Sequence, residues 1–288
     1  MERTLIEAYK QIFKFKSKNN EPSWAVHKEL EGHTHELVHC SIPFVGKNYA
    51  KQKVKILLYA SSENLANYGD KEKLYRDELA VNRHRHYYNE SVLKADRFFP
   101  DVHIAPISDG SLLTVALYIC TKLVKVGAVT PKEFLEIIAF GNYSKYSEVK
   151  INGEGEKNID PARDARKLEA SHEYIRKDIE VLKPDYIIMF SSIYNTDRKF
   201  INSVKRNAQI IDIYQINART INTTINIKDE KYTVDKNNIE KHLGKLEEII
   251  KCWYKEINDK KISGDIKKNY LSVFPYIDDV LREKGILG

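Results

Sequence analysis

The sequence predicts an α/β fold, a three-layer sandwich with a central, mostly parallel sheet between helices and helical additions at both ends. Three observations carry that expectation. Apolar runs of strand length recur at residues 54–60, 137–140, 186–190 and 210–213. Between them lie longer segments whose apolar residues return at helical spacing, and strands apolar on both faces belong to parallel sheets covered on both sides. Several runs also end abruptly in polar residues, as in sheets that present functional groups at the carboxyl ends of their strands.

In chain order, Leu5, Ile6, Tyr9, Ile12 and Phe13 repeat at helical spacing over residues 2–16. The first strand, 54–60, is apolar except for Lys55 and runs into Ser61-Ser62-Glu63-Asn64. A polar stretch over 70–96 reads as helix, followed by Phe98-Phe99-Pro100 and a short strand over 102–105. Ser108-Asp109-Gly110-Ser111 precedes an apolar helix over 112–126, and a Ser or Asp there can accept from the first free helical amides. With no GxSxG elbow in the chain, Ser111 reads as part of that cap rather than as a nucleophile. Pro131 opens another helix, where its missing N–H is no loss, and this leads through the apolar run 137–140 into the strand that ends at Asn142. Residues 151–162 read as a polar Gly/Asn loop.

Residues 163–182 form one amphipathic helix burying Leu168, Ile175, Ile179 and Leu182, broken by Lys183-Pro184-Asp185 before the run 186–190. The run 210–213 continues into Tyr214-Gln215-Ile216-Asn217-Ala218-Arg219, and 236–261 is a lysine-rich amphipathic helix. The expected division is an N-terminal helix and extension over 1–50, an α/β domain over 51–230 and a helical addition over 231–288. In that addition Trp253, Tyr254, Tyr270, Phe274 and Tyr276 read as core aromatics.

Composition narrows the classes. A chain of 288 residues, 42% hydrophobic and 31% charged, buries a sizeable core. No apolar run approaches the roughly 18 residues that a membrane span needs, and Met1-Glu2-Arg3 lacks a signal-peptide core, so a cytoplasmic protein without membrane contact is expected. Cys40, Cys120 and Cys252 are far apart with no CxxC pair, so neither a disulfide framework nor a sulfur cluster is indicated, and they read most simply as packed, reduced thiols. A net charge of +6 suits polyanionic partners. Arg76, Arg83 and Arg85, with His84 and His86, are interleaved with Tyr75, Tyr87 and Tyr88; such a cluster can hold phosphates and stack on bases, and it is equally the pattern of a solvated helix face.

The polar strand ends are the candidate site. An asparagine offers one acceptor and two donors in a plane, which suits reading the edge of a base, while Asn and Gly after a strand also form ordinary turns. Asn142, with Ser144 and Lys145, is the most informative end; Ser61 to Asn64, Ser191-Ser192 and Gln215 to Arg219 are the others.

The order and spacing of these ends resemble the uracil-DNA glycosylase superfamily over about residues 52–225. The best matches are Asn142 with Lys145, and Leu182-Lys183-Pro184-Asp185-Tyr186-Ile187-Ile188 leading into the next strand. The resemblance implies catalytic roles for Glu63 or Asn64, base binding by Asn142 with Ser62 and Tyr68, and DNA contacts from Lys145, Gln215, Asn217 and Arg219. The basic cluster adds Arg83 and Arg85 as DNA-binding candidates. Glycosidic cleavage passes through an oxocarbenium-like sugar, so a carboxylate or polarised water near the anomeric carbon and donors to the departing base are required. The family's first motif normally carries a glycine and a proline, and its second begins with histidine; Ala60-Ser61-Ser62-Glu63-Asn64 and Gln215-Ile216-Asn217-Ala218-Arg219 have neither feature. These changes imply a pocket for a flipped base other than plain uracil, such as a bulky modified pyrimidine, in antiviral defence against modified phage DNA.

Readings from other classes stay open. A catalytically inactive nucleic-acid-binding protein of the same fold would show affinity and steep salt dependence without base release. A small-molecule or nucleotide hydrolase would use the same sheet edge, but no GxxxxGK[ST] or GxGxxG loop occurs, and no cofactor is expected. His33, His35 and His39 would share one face of a strand and form a weak metal candidate, since no carboxylate or cysteine completes an established spacing. Oligomeric state is not legible.

Overall fold

The structure, a computed structural model, describes residues 1–12, 25–28, 36–40, 42–62, 109–124, 136–152, 155–159, 162, 164–215 and 264–288. They fall into two compact units, one built from Met1–Glu90 and Glu136–Asp212, the other from Ser91–Leu135 and Ile213–Gly288. In chain order the elements are α1 (Glu2–Ile12), β1 (Ala25–Lys28), β2 (Glu36–Cys40), β3 (Phe44–Val45), β4 (Ile56–Ala60), α2 (Asp109–Val124), β5 (Ala139–Asn142) and β6 (Tyr146–Asn152). There follow β7 (Gly155–Ile159), α3 (Ala165–Glu169), α4 (His172–Leu182), β8 (Tyr186–Phe190), α5 (Ser191–Val204), β9 (Gln209–Ile213) and α6 (Gly264–Glu283).

The first unit holds a five-stranded mixed sheet in the order β3-β5-β4-β8-β9, with α/β character as expected. β4 runs parallel to both β5 and β8, whereas β3 pairs antiparallel to β5 at the edge. The Gln209 N–H donates to Asp185 O at the starts of β9 and β8, so β9 runs parallel as well. Apolar burial explains the order. Ile56, Leu57, Leu58 and Tyr59 of β4 and Ile187, Ile188 and Met189 of β8 are at most 2% exposed, each burial stabilising by roughly 1.5–3 kcal/mol.

Helices supply the cover. α4 buries Tyr174, Ile175, Ile179 and Leu182 on one stripe. Against it lies α1, whose Leu5 and Tyr9, one turn apart, are fully buried, with the Tyr9 ring edge-on to Tyr174 at 4.8 Å. The expected single helix over 163–182 is two, α3 and α4, parted at Ala170 and Ser171. Lys183 ends α4 in a left-handed conformation, φ 49°, as the Lys-Pro break anticipates.

Residues 151–162, expected as a loop, include strands instead. β6 and β7 pair antiparallel with Asn152 opposite Gly155, leaving two residues between the paired ends. Gly155, expected in the loop, is the first residue of β7. With β1 and β2, the strands β6 and β7 form a second, antiparallel sheet, β1-β2-β6-β7, which the sequence reading did not anticipate. The chain passes between the two sheets three times: from β2 through Ile42 and Pro43 to β3, from β5 through Tyr143-Ser144-Lys145 to β6, and from β7 by way of α3 and α4 to β8.

In the second unit, α2 begins at Asp109, so Asp109, Gly110 and Ser111 lie inside the helix rather than ahead of it. Its Tyr118 hydroxyl donates to Asp278 at 2.6 Å and its ring stacks on Phe274 of α6 at 4.5 Å. Cys120 is a buried free thiol whose pKa burial raises to about 12, consistent with a packed, unreactive cysteine. The segments expected as helix over 70–96 and 236–261 and as strand over 102–105 lie outside the described residues.

The crossing points are tight. A Cβ on Gly141 would stand 3.1–3.2 Å from three atoms of Pro43, one of them main chain, on the neighbouring crossing. Gly141→Ala is therefore expected to destabilise the fold by about 1–3 kcal/mol, read as a lowered denaturation midpoint at unchanged m-value.

Candidate functional site

Because β4, β5 and β8 run parallel, their carboxyl ends share one edge of the mixed sheet. That edge carries Ser61 and Ser62 after β4, Asn142 at the end of β5, and Ser191-Ser192 at the start of α5. Asn142 is paired with Ala60 as the last residue of its strand, as expected, and is 4% exposed. The pairing continues beyond both strands: the Tyr143 N–H donates to Ala60 O at 2.8 Å and the Ser144 N–H to Ser61 O at 2.9 Å. Two polar strand ends separated by some eighty residues of sequence are thus zipped side by side.

Beside this edge lies a buried charge network. Lys145 and Asp178 are both 0% exposed, and Lys145 Nζ stands 2.7 Å from Asp178 Oδ2. The ammonium makes this ion pair without a well-directed hydrogen bond, and sits 5.1 Å from the ring centroid of Tyr59 and 5.8 Å from that of Tyr9. The carboxylate is fully engaged: Tyr9 donates to Oδ1 at 2.7 Å and Tyr59 to Oδ2 at 2.8 Å. Ser171, at the position before α4 where a hydroxyl ordinarily caps its own helix, instead accepts the Lys145 N–H at 2.8 Å.

A second carboxylate completes the arrangement. Asp197, 8% exposed, sits where α5 departs from helical geometry, φ −118° and ψ 22°. Its Oδ2 accepts the Tyr143 hydroxyl at 2.6 Å and lies 2.7 Å from His172 Nε2, whose ring stacks on Phe200 at 3.5 Å. The rings of Tyr143 and Tyr59 meet edge to face at 5.5 Å, which links the two carboxylate clusters.

Of the residues singled out in the sequence, the structure brings Ser62 and Asn142 to the same sheet edge. Lys145 is corrected: the chain turns its ammonium inward onto Asp178, so in this structure it is not a solvent-facing contact for phosphate. Gln215 is exposed two residues after β9. Glu63, Asn64, Tyr68, Arg83, Arg85, Asn217, Arg219, His33 and His35 lie outside the described residues, and His39 stands in β2 opposite Ala25. Among the described residues no group of three His, Cys, Asp or Glu side chains could hold a metal ion, and no helix is long and apolar enough to cross a membrane. Sequence reasoning missed Tyr9, Tyr59, Tyr143, Ser171, His172, Asp178 and Asp197. A signal existed for Asp178, which falls on the helical stripe of Ile175, Ile179 and Leu182 where a solvated carboxylate has no place.

Comparison with family models, with curated proteins and with solved structures finds no match for this chain.

Two outcomes follow from the buried network. Asp178→Ala leaves the Lys145 charge uncompensated and is expected to cost about 3–5 kcal/mol, whereas Tyr9→Phe removes one neutral donor to a carboxylate and costs about 1.5–3 kcal/mol, both measurable by urea denaturation. Burial first, then the neighbouring carboxylate, raises the phenols of Tyr59 and Tyr143, and burial raises Tyr49. An unfolded phenol ionises near pH 10, while these stay protonated in the fold. The unfolded chain then binds fewer protons, so the stability they contribute is intact below about pH 10 and falls as pH rises beyond it. An alkaline titration followed by phenolate absorbance should show at least these tyrosines, of 18 in the chain, ionising only as the fold is lost.

Proposed function

We propose that this protein is a DNA glycosylase-like enzyme that flips a modified base out of DNA and hydrolyses its N-glycosidic bond, on a three-layer α/β sandwich. The observation that carries the reading is the pairing of two polar strand ends at one sheet edge. Asn142, a nearly buried amide, closes β5 directly beside the Ala60-Ser61-Ser62 end of β4. In open sheets with parallel strands, ligands bind at the carboxyl ends. A planar amide fixed at such an end is suited to the hydrogen-bonding edge of an extruded base. Ser62 precedes Glu63 and Asn64, the groups assigned to the developing sugar cation and its attacking water. The net charge of +6 favours a polyanionic partner. The absence of histidine from 215–219 favours a base other than plain uracil, and modified phage DNA supplies such bases.

The test incubates purified protein with oligonucleotides carrying uracil, hypoxanthine, hydroxymethylcytosine or glucosylated cytosine, followed by alkali to cut abasic sites. Release from at least one modified base is expected. Asn142→Ala should lower kcat/KM by roughly ten- to a hundredfold, the worth of about 1–3 kcal/mol of lost base contact, at unchanged melting temperature. Glu63→Gln should lower kcat. No cleavage of any substrate would sink the proposal, and salt-sensitive affinity without release would replace it with a binding protein of the same fold.

A further inference from the structure

We infer that Asp178 and Asp197 are positioning residues for Asn142, gripping the bend behind it from one face of the sheet so that the amide leaves the other face in a fixed direction. The register pairs Tyr59 with Gly141 and Ala60 with Asn142. Side chains alternate along a strand, so Tyr143 falls on the face of Tyr59 and Asn142 on the opposite one. On the Tyr59 face both carboxylates take hold of the residues that follow Asn142. Asp197 accepts the Tyr143 hydroxyl at 2.6 Å, and Asp178 pairs with Lys145 at 2.7 Å. Main-chain bonds from Tyr143 to Ala60 and Ser144 to Ser61, and from the Lys145 N–H to Ser171 Oγ, hold the backbone between them.

Every residue of the bend is therefore tied down, and it is tied from α4, α5 and β4 together. Stability alone does not call for such groups, because a buried ion pair replaced by well-packed apolar side chains is often neutral or stabilising. What the charged pair adds is direction: a carboxylate shared by two phenols and an ammonium admits one arrangement of the bend. Recognition sites need that kind of support, since a base-contacting amide works only when held close to its productive geometry.

The inference rests on the reading of Asn142 as the base-contacting amide, and its test is chosen to be independent of activity. Protein labelled with 15N-asparagine gives side-chain amide signals, of which the Asn142 pair is assigned by its loss in Asn142→Ala. Spectra are then recorded for the apolar exchange Lys145→Met with Asp178→Leu, for Tyr143→Phe, which frees the bend from Asp197 without stranding a charge, and for Tyr9→Phe, which weakens the same network from α1. Expected are large shifts or broadening of the Asn142 pair in the first two proteins, with a cooperative melt retained, and smaller changes in Tyr9→Phe. If the double variant fails to fold, Tyr143→Phe decides. Unmoved Asn142 signals in a folded variant released from either carboxylate would overturn the inference, as would an equal shift in Tyr9→Phe, which would mean general loosening. A wild-type protein that releases no base overturns the glycosylase reading while leaving the spectral result to stand on its own. In an active protein, both release variants should lose at least tenfold in base release while affinity for an unmodified duplex stays within twofold.

Discussion

The ion pair of Lys145 and Asp178 is the interaction on which the first unit depends. Removing two charges from water is expensive, and their attraction offsets this only with good geometry and satisfied lone pairs. Asp178 meets that condition with two phenol donors and the ammonium. The partners come from four places: Tyr9 from α1, Tyr59 from β4, Lys145 from the bend between the sheets, and the aspartate from α4. One carboxylate thereby joins the N-terminal helix, the central strand and the crossing into the antiparallel sheet. Without it the buried ammonium would lose its counter-charge and keep the weaker attraction of the Tyr9 and Tyr59 rings.

The same joint sets the geometry of the polar edge. Parallel pairing of β5, β4 and β8 brings the strand ends to one side, and the bonds from Tyr143 and Ser144 to Ala60 and Ser61 extend the pairing past the last strand residues. Pro43, on the crossing from β2 to β3, closes against Gly141, so that a Cβ there would stand 3.1–3.2 Å from it and force one of the two segments to shift. The apparent motif of asparagine followed three residues later by lysine then divides its labour. The asparagine stands at the edge of the sheet, whereas the lysine turns inward and holds the bend.

Much of the fold was legible because it follows from local patterning. The apolar runs ending near Ala60, Phe190 and Ile213 are strands, Leu168, Ile175, Ile179 and Leu182 are buried, and the helix ends at Lys183 before Pro184. The antiparallel sheet was not legible, because Asn152 and Gly155 carry turn composition within paired strands. The candidate site was legible in part: Asn142 and Ser62 stand at one edge, while Lys145 reads as a surface cation in any local window.

The sequence by itself determined the α/β class of the fold, the parallel strands β4, β5, β8 and β9 of the mixed sheet, though not its edge strand β3, and the edge at which their polar ends gather. Hydrophobic periodicity is a property of neighbouring residues, and it needs nothing distant to express it. Only the tertiary structure decided that Lys145 is core, that Asp178 receives it, and that Tyr143 and His172 converge on Asp197. The physical reason is that a buried charge is tolerable only beside its counter-charge and donors, and these lie far off in sequence: the Tyr9 and Tyr59 bonds to Asp178 span 169 and 119 residues. No local window contains both partners, so the folded chain alone could bring them together.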